Sequence, residues 1–299
     1  VARNVASLDG GREWLESLPC ALRSLRDGWG LELGRPFEGG TCSWVGPART
    51  ADGGCAVLKV SFPHREARGE AEALRLWSGA GAIRLLRSNP DGFGLLLETC
   101  EPGSTLRDAA GEPEDLLTAG LEVLAQLWSE RPDPASALEP LHAVTGDWAG
   151  LVAERWPRLR PGADPHLVRT AIGLLESLPR TAERSVVLHG DFNPGNVLSA
   201  RRSPWLAIDP KPMVGDPGYD VWPLIMQLDS PMRLIEPGPV LRRRFGLAAE
   251  ILGEPAERLS AWSAARAVES AFDRYNIGDR RAGDAELDQA AVLADAAGL

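Results

Sequence analysis

The stretch His189-Gly-Asp-Phe-Asn-Pro-Gly-Asn196 collects the residue types needed to move a phosphoryl group onto an alcohol. Asp191 and Asn196 stand five apart, and Pro194-Gly195 between them forms a tight turn that lets both side chains converge. A carboxylate so placed orients an attacking hydroxyl and accepts its proton, while the amide oxygen holds a magnesium ion. Trp205-Leu-Ala-Ile-Asp209 follows as an apolar run ending in a second carboxylate. Magnesium favours one or two carboxylates plus phosphate oxygens, so Asn196 and Asp209 suffice as protein ligands. Each residue alone is an ordinary turn former or cap; the ordered set is far more specific.

The basic residues sharpen this pattern. Nearly all are arginine, and the only lysines are Lys59 and Lys211. Lysine is a compact point charge and arginine a planar fork, so the two retained lysines mark positions where the fork does not serve. Lys59 lies in the apolar run Val57-Leu-Lys-Val60. Lys211 follows Asp209 by two residues, placed to neutralise phosphate or to touch substrate.

Elements that would carry these residues follow from periodicity. Trp14, Leu18, Leu22, Leu25 and Trp29 mark a leading helix, which Pro19 should break. Cys55 to Ser61 reads as a strand after a hairpin signal at Asp52-Gly53-Gly54, and 64–77 reads as a helix. Two strands, 83–87 and 94–99, flank a turn at Asn89-Pro-Asp-Gly92. After Glu101-Pro-Gly103 the pattern turns helical, over about 113–130, 164–178, 217–229, 239–252 and 255–276. Short strands at 185–189, 196–199 and 205–209 interrupt it. The expectation is an α+β, bilobal, protein-kinase-like fold: a β-rich N-lobe over 1–101 and a mainly helical C-lobe over 102–299, with a ligand cleft between them.

Composition narrows the functions. A net charge of -10 argues against a nucleic-acid binder and permits a cationic small-molecule partner. No apolar run approaches the ~20 residues that span a bilayer, and the start lacks a secretory pattern, so a cytoplasmic protein is expected, with a monomer as the default. Cys20, Cys42, Cys55 and Cys100 have no zinc-site spacing and are expected as buried free thiols. No GxxxxGK[ST], strand-following GxGxxG or serine-hydrolase elbow occurs. Phe37 to Trp44 is only a weak candidate for a glycine-rich loop over phosphates.

The catalytic stretch, Ile208-Asp-Pro-Lys-Pro212 and Gly215-Asp-Pro-Gly-Tyr-Asp220 together resemble the aminoglycoside and hydroxyurea antibiotic-resistance kinases. Trp14-Leu-Glu-Ser-Leu-Pro19, Ala73-Leu-Arg-Leu-Trp-Ser-Gly79, Leu95-Leu-Leu-Glu98 and Asp220-Val-Trp-Pro223 extend the likeness along nearly the whole chain. It is nearest to the streptomycin 6-phosphotransferase and hydroxyurea phosphotransferase branch. Many members carry Leu-His where this chain has Phe192-Asn193, a departure that bears on substrate identity.

The resemblance implies ATP and Mg2+ as cofactors and Asp191 as the catalytic residue. It implies that Lys59 meets the α- and β-phosphates and that a helical carboxylate holds it. Of Glu66, Glu70 and Glu72, Glu70 shares a face with Leu74 and Trp77 and is the choice; Glu72 points toward solvent. Glu98, Thr99 and Cys100 would face the adenine, while His189 and Asp220 would brace the loop. Only ten residues separate Asp209 from Asp220, too few for a long activation segment, and Gly190 replaces the Arg that would dock its phosphate. A small-molecule substrate is therefore favoured over a protein, streptomycin-type first, hydroxyurea second and another small-metabolite alcohol third. Intact Lys59, Asp191, Asn196 and Asp209 argue against a dead nucleotide-binding relative. Glu269 and Asp273, four apart on a predicted helix, are candidates for contacting a cationic acceptor beside Lys211.

Overall fold

A computed structural model describes residues 2–38, 42–130, 132, 136–159 and 161–299. After the short helix α1 (Ala2–Val5), helix α2 (Gly11–Trp29) leads into a five-stranded antiparallel sheet. Its strands are β1 (Glu32–Leu33), β2 (Ser43–Arg49), β3 (Cys55–Ser61), β4 (Leu85–Ser88) and β5 (Gly94–Glu98), in the order β1-β2-β3-β5-β4. Helix α3 (Glu70–Trp77) is inserted between β3 and β4.

Period-two alternation decides what each face of β3 does. Ala56, Leu58 and Val60 face α2 and are buried with Leu25, Leu31, Ala48 and Leu96, the Trp14, Leu18, Leu22 and Trp29 stripe closing over them. Val57 and Lys59 point the other way, into a cleft. Leu58 is fully buried, so Leu58→Ala should cost about 2–5 kcal/mol. The stripe also explains why α2 runs unbroken through Pro19. The proline lies on the exposed face, where water can satisfy the carbonyl it leaves unpaired, and packing of the opposite face holds the helix together.

The remaining chain is mainly helical: α4 (Pro113–Leu127), α5 (Leu141–Leu159), α6 (Pro165–Ser177), α7 (Val221–Gln227), α8 (Pro237–Leu252), α9 (Ala256–Asn276) and α10 (Arg280–Ala297). Helices α5 and α10 have no counterpart in the sequence reading. Gly146 and Gly150 blur the first, and the second is alanine-rich with little apolar contrast. The 64–77 helix is shorter than expected, a 3-10 turn at Arg65–Ala67 and the left-handed Gly69 preceding α3. Small strands flank the candidate site segments: β6 (Glu139–Pro140) and β7 (Val186–Leu188) flank β10 (Met213–Gly215), and β8 (Val197–Ser199) pairs with β9 (Trp205–Ala207).

The sheet region and the helical region are joined by backbone. Ile83 donates to the carbonyl of Ala207 (3.1 Å) and Ala207 to that of Gly81 (2.8 Å). Gly103 donates to Ser199 (3.0 Å) and Ser199 to Ser104 (2.9 Å). Arg202, from the β8–β9 turn, grips the carboxylate of Glu98 and the carbonyls of Gly79 and Ala82. All four cysteines are free, as expected, but none is buried: Cys20 and Cys55 are exposed, and Cys42 and Cys100 are half-buried. Among the described residues no helix is long and apolar enough to cross a membrane.

Candidate active site

Strand β3 delivers Lys59 to the back of a cavity of about 400 Å³ beneath the sheet. Its Nζ lies 2.7 Å from both carboxylate oxygens of Glu70 and 2.5 Å from Asp209 Oδ1. Lys59 is 6% and Glu70 2% exposed. Burial opposes the ammonium charge, but Glu70 and Asp209 outweigh it and hold Lys59 above its ordinary value. The other two candidate glutamates have different partners. Glu66 pairs with Lys211 at 3.1 Å. Glu72 is half-buried, not solvated as expected, and accepts from Ser136 Oγ and the Ala137 amide.

The rest of this cavity is largely apolar. Val45 and Val57 from the sheet, Ile83, Leu97, Leu198 and Ile208 line it, and 98–100 form one edge. At that edge the Glu98 side chain is turned away: Arg202 holds both its oxygens at 2.8 and 3.0 Å, and the Arg84 amide adds a third bond. The backbone groups of Thr99 and Cys100 make no hydrogen bond among the described residues, and the buried Thr99 hydroxyl has no partner. Burial pushes the Cys100 thiol up to about 11, so it lines this edge as a neutral thiol.

Three short connections place the candidate carboxylates Asp191 and Asp209. His189 is fully buried, stacked on Trp77 and edge-on to Phe192. Its Nδ1 accepts from the Asp191 amide (3.3 Å), so Nε2 carries the proton and donates to the Ile208 carbonyl (3.0 Å). Burial holds the imidazole below its ordinary value, which keeps it neutral. One ring therefore ties the Asp191 loop to the residue preceding Asp209. Asp220, fully buried, accepts from the His189 and Gly190 amides at 2.8 Å each and from Trp128 Nε1 at 3.4 Å.

Gly190 has a φ of 82°, and a Cβ there would fall 2.0 Å from the Lys211 carbonyl oxygen. Backbone packing thus explains the glycine, because no side chain fits beside Lys211, whose amide donates to His189 O at 2.7 Å. Asp209 also has a positive φ, 57°, which Asp tolerates better than branched residues do. It ends the β9 segment with its side chain 56% exposed to the cleft. Lys59 holds its carboxyl below the ordinary range against the opposing effect of burial. Asn196 spends its Nδ2 on the Asp191 carbonyl (3.0 Å), and its Oδ1 accepts no hydrogen bond among the described residues.

A positioning contact that spacing did not reveal centres on Asn193. Its Oδ1 accepts from the Gly195 amide (2.9 Å) and Arg107 Nη2 (3.1 Å), which turns Nδ2 toward Asp191 Oδ1 at 3.2 Å. Arg107 also reaches Gln227 Oε1. Scarcity of asparagine singles out position 193 in the sequence, but Arg107 gives no such signal.

Asp191 opens on a second cavity, about 390 Å³, lined also by Arg65, Glu66, Glu139, Trp148, Lys211, Tyr219, Trp222, Arg266, Glu269 and Asp273. Lys211 Nζ lies 3.5 Å from Asp191 Oδ2, and these neighbours hold it above its ordinary value although burial acts against them. Helix α9 thus brings Glu269 and Asp273 to the same cavity as Asp191. The candidate loop over the first cavity, 37–44, includes residues 39–41, which lie outside the described residues.

A strand lysine locked to a helical glutamate, an Asp–Asn loop and a strand-end Asp under a five-stranded sheet define a bilobal, protein-kinase-like phosphotransferase. The chain belongs to the aminoglycoside/hydroxyurea antibiotic resistance kinase family, whose model matches residues 30–278. It is 37% identical to a streptomycin 6-kinase of Streptomyces glaucescens, over 94% of this chain and 89% of that protein. It is 35% identical to a hydroxyurea phosphotransferase of Kitasatospora aureofaciens, over 96% and 82%. Its fold matches a spectinomycin phosphotransferase crystallised with ADP and spectinomycin (TM-score 0.61, 12% identity, 94% of this chain and 98% of that one).

Proposed function

We propose that the chain transfers the γ-phosphoryl group of ATP to a hydroxyl of a cationic antibiotic of the streptomycin type. The observation that supports this most is the arrangement of the two cavities. The apolar one ends at Lys59 and Asp209, the charged one opens at Asp191 and Lys211, and His189 is bonded to both segments. In this reading adenine lies against the apolar walls, with the unpaired backbone groups of Thr99 and Cys100 at its edge and Lys59 at the α- and β-phosphates. The donor set fits magnesium: Asn196 offers an amide oxygen and Asp209 an open carboxylate, and phosphate oxygens complete such a shell. Bound there, the ion would neutralise charge on the phosphates.

Asp191 acts on the acceptor. Asn193 holds Oδ1, leaving the carboxylate oriented to accept a hydroxyl proton from the second cavity. Lys211 beside it offsets negative charge where phosphate and carboxylate approach. The cavity carries five carboxylates against three cationic side chains, which favours a cationic acceptor over the neutral hydroxyurea.

A mass-shift assay of ATP with streptomycin, other aminoglycosides and hydroxyurea tests the reading. We expect an 80-Da gain on streptomycin, the mass of one added phosphoryl group, and none on hydroxyurea at matched concentration. Phosphorylation of hydroxyurea alone would reverse the substrate choice and leave the kinase reading standing.

A further inference from the structure

Four of the five carboxylates that line the acceptor cavity are already committed to cations. Glu66 and Asp191 share Lys211 at 3.1 and 3.5 Å. Glu139 binds Arg65 at 2.8 Å, and Asp273 binds Arg155 at 3.3 Å. Glu269 makes no ion pair or hydrogen bond among the described residues, although it is half-buried on the same wall. Its nearest candidate partner is engaged elsewhere. Arg266 donates to the Tyr219 carbonyl (2.9 Å) and lies 3.9 Å over the Tyr219 ring and 5.1 Å from that of Trp222.

A half-buried carboxylate with no partner is costly unless a ligand supplies one. We propose that Glu269, and not Asp273, receives a guanidinium or ammonium nitrogen of the acceptor. This deepens the phosphotransferase reading and rests on it for the identity of the ligand as an acceptor.

A linkage follows. Burial pushes the Glu269 carboxyl up to about 7, Arg266 acting against it. The charged groups facing it are Arg266 and Asp273 on α9, Arg155 on α5 and Glu286 on α10; Tyr219 is the other titratable neighbour. A bound cation favours the ionised form. Binding therefore expels a proton below neutrality and is tightest above it, losing up to about tenfold per pH unit as pH falls below 7.

The test is calorimetry of streptomycin binding, at pH 6.5 in two buffers of different ionisation enthalpy and again at pH 8. Wild type, Glu269→Gln and Asp273→Asn are compared, with ADP affinity as the check on folding. We expect wild type to release about half a proton or more. Glu269→Gln should release none and bind about tenfold more weakly at pH 8, the worth of one charged hydrogen bond. Asp273→Asn should keep the proton release. Affinity of Glu269→Gln within twofold of wild type, or undiminished proton release, would overturn the inference while phosphorylation of streptomycin kept the kinase reading intact. Failure to bind streptomycin, with transfer to a neutral acceptor, would also overturn it and spare that reading. Binding with Glu269-dependent proton release but no transfer to any acceptor would uphold the inference and sink the reading.

Discussion

The two cavities are nearly equal in size, about 400 and 390 Å³, and opposite in plan. The first is walled by alternate residues of a sheet and by β8 and the end of β9, with Lys59, Glu70 and Asp209 gathered at one end and Glu98, tied to Arg202, at the edge. The second is lined by loops and by helices distant in sequence, and carries eight charged side chains. In the proposed reading the contrast separates two tasks. Holding a nucleotide needs a flat apolar slot, free backbone groups and one fixed ammonium. Holding a polar acceptor needs charges whose value depends on which of them are already paired.

The largest test of this division is Asp191→Asn. We expect kcat to fall by about 10²–10⁴, while calorimetry finds nucleotide affinity close to wild type. Equal loss on the nucleotide side would erase the distinction between the cavities. Lys59→Arg comes next. Glu70 and Asp209 hold a single compact ammonium that a planar fork cannot reproduce, so kcat/KM for ATP should drop, by about tenfold or more, with the acceptor KM unchanged. Steady-state kinetics with each substrate varied in turn would decide it.

Asn193→Ala and Arg107→Met address the link between the loop and Asp191. Each should lower kcat by about tenfold or less, and the double variant should be no worse than the worse single, because Arg107 acts through Asn193. Additive losses would assign Arg107 to its Gln227 contact instead.

The smallest effect is on stability. The fold disfavours ionised Glu269, so its cost is absent in acid, grows as pH rises from 4.5 to about 7, and persists above. Glu269→Gln should therefore raise Tm at pH 8, by about 2 °C, and leave it unchanged near pH 4.5. Thermal scans at both pH values check the sign.

What the sequence made readable follows the same divide. The juxtaposition of Asp191, Asn196 and Asp209 is legible from spacing, because a short loop between short strands leaves little freedom in where they go. Glu70 was separable from its neighbours because helical period alone sets which carboxylate faces β3. The acceptor side resisted: Glu269 and Asp273 share a helix face, and only Arg155, more than a hundred residues earlier, distinguishes them. Glu72 likewise found its partners in Ser136 and Ala137, which no local pattern announces. Pro19 misled because the breaker rule is local, whereas α2 is held by the sheet beneath it.

The backbone seam between the sheet and the helical region has a mechanical consequence. Gly81 and Ile83 are stitched to β9, the connector at 103–104 to β8, and Arg202 clasps Glu98 between the two stitches. A joint sewn on both sides of its pin behaves as a clasp-knife. By this construction the 98–100 end of the cleft should change its gape least, with displacement growing with distance from the pin, toward the β2–β3 end of the sheet. In the proposed reading substrates would enter and leave past the far lip, and Arg202 would set the stiffness of the joint.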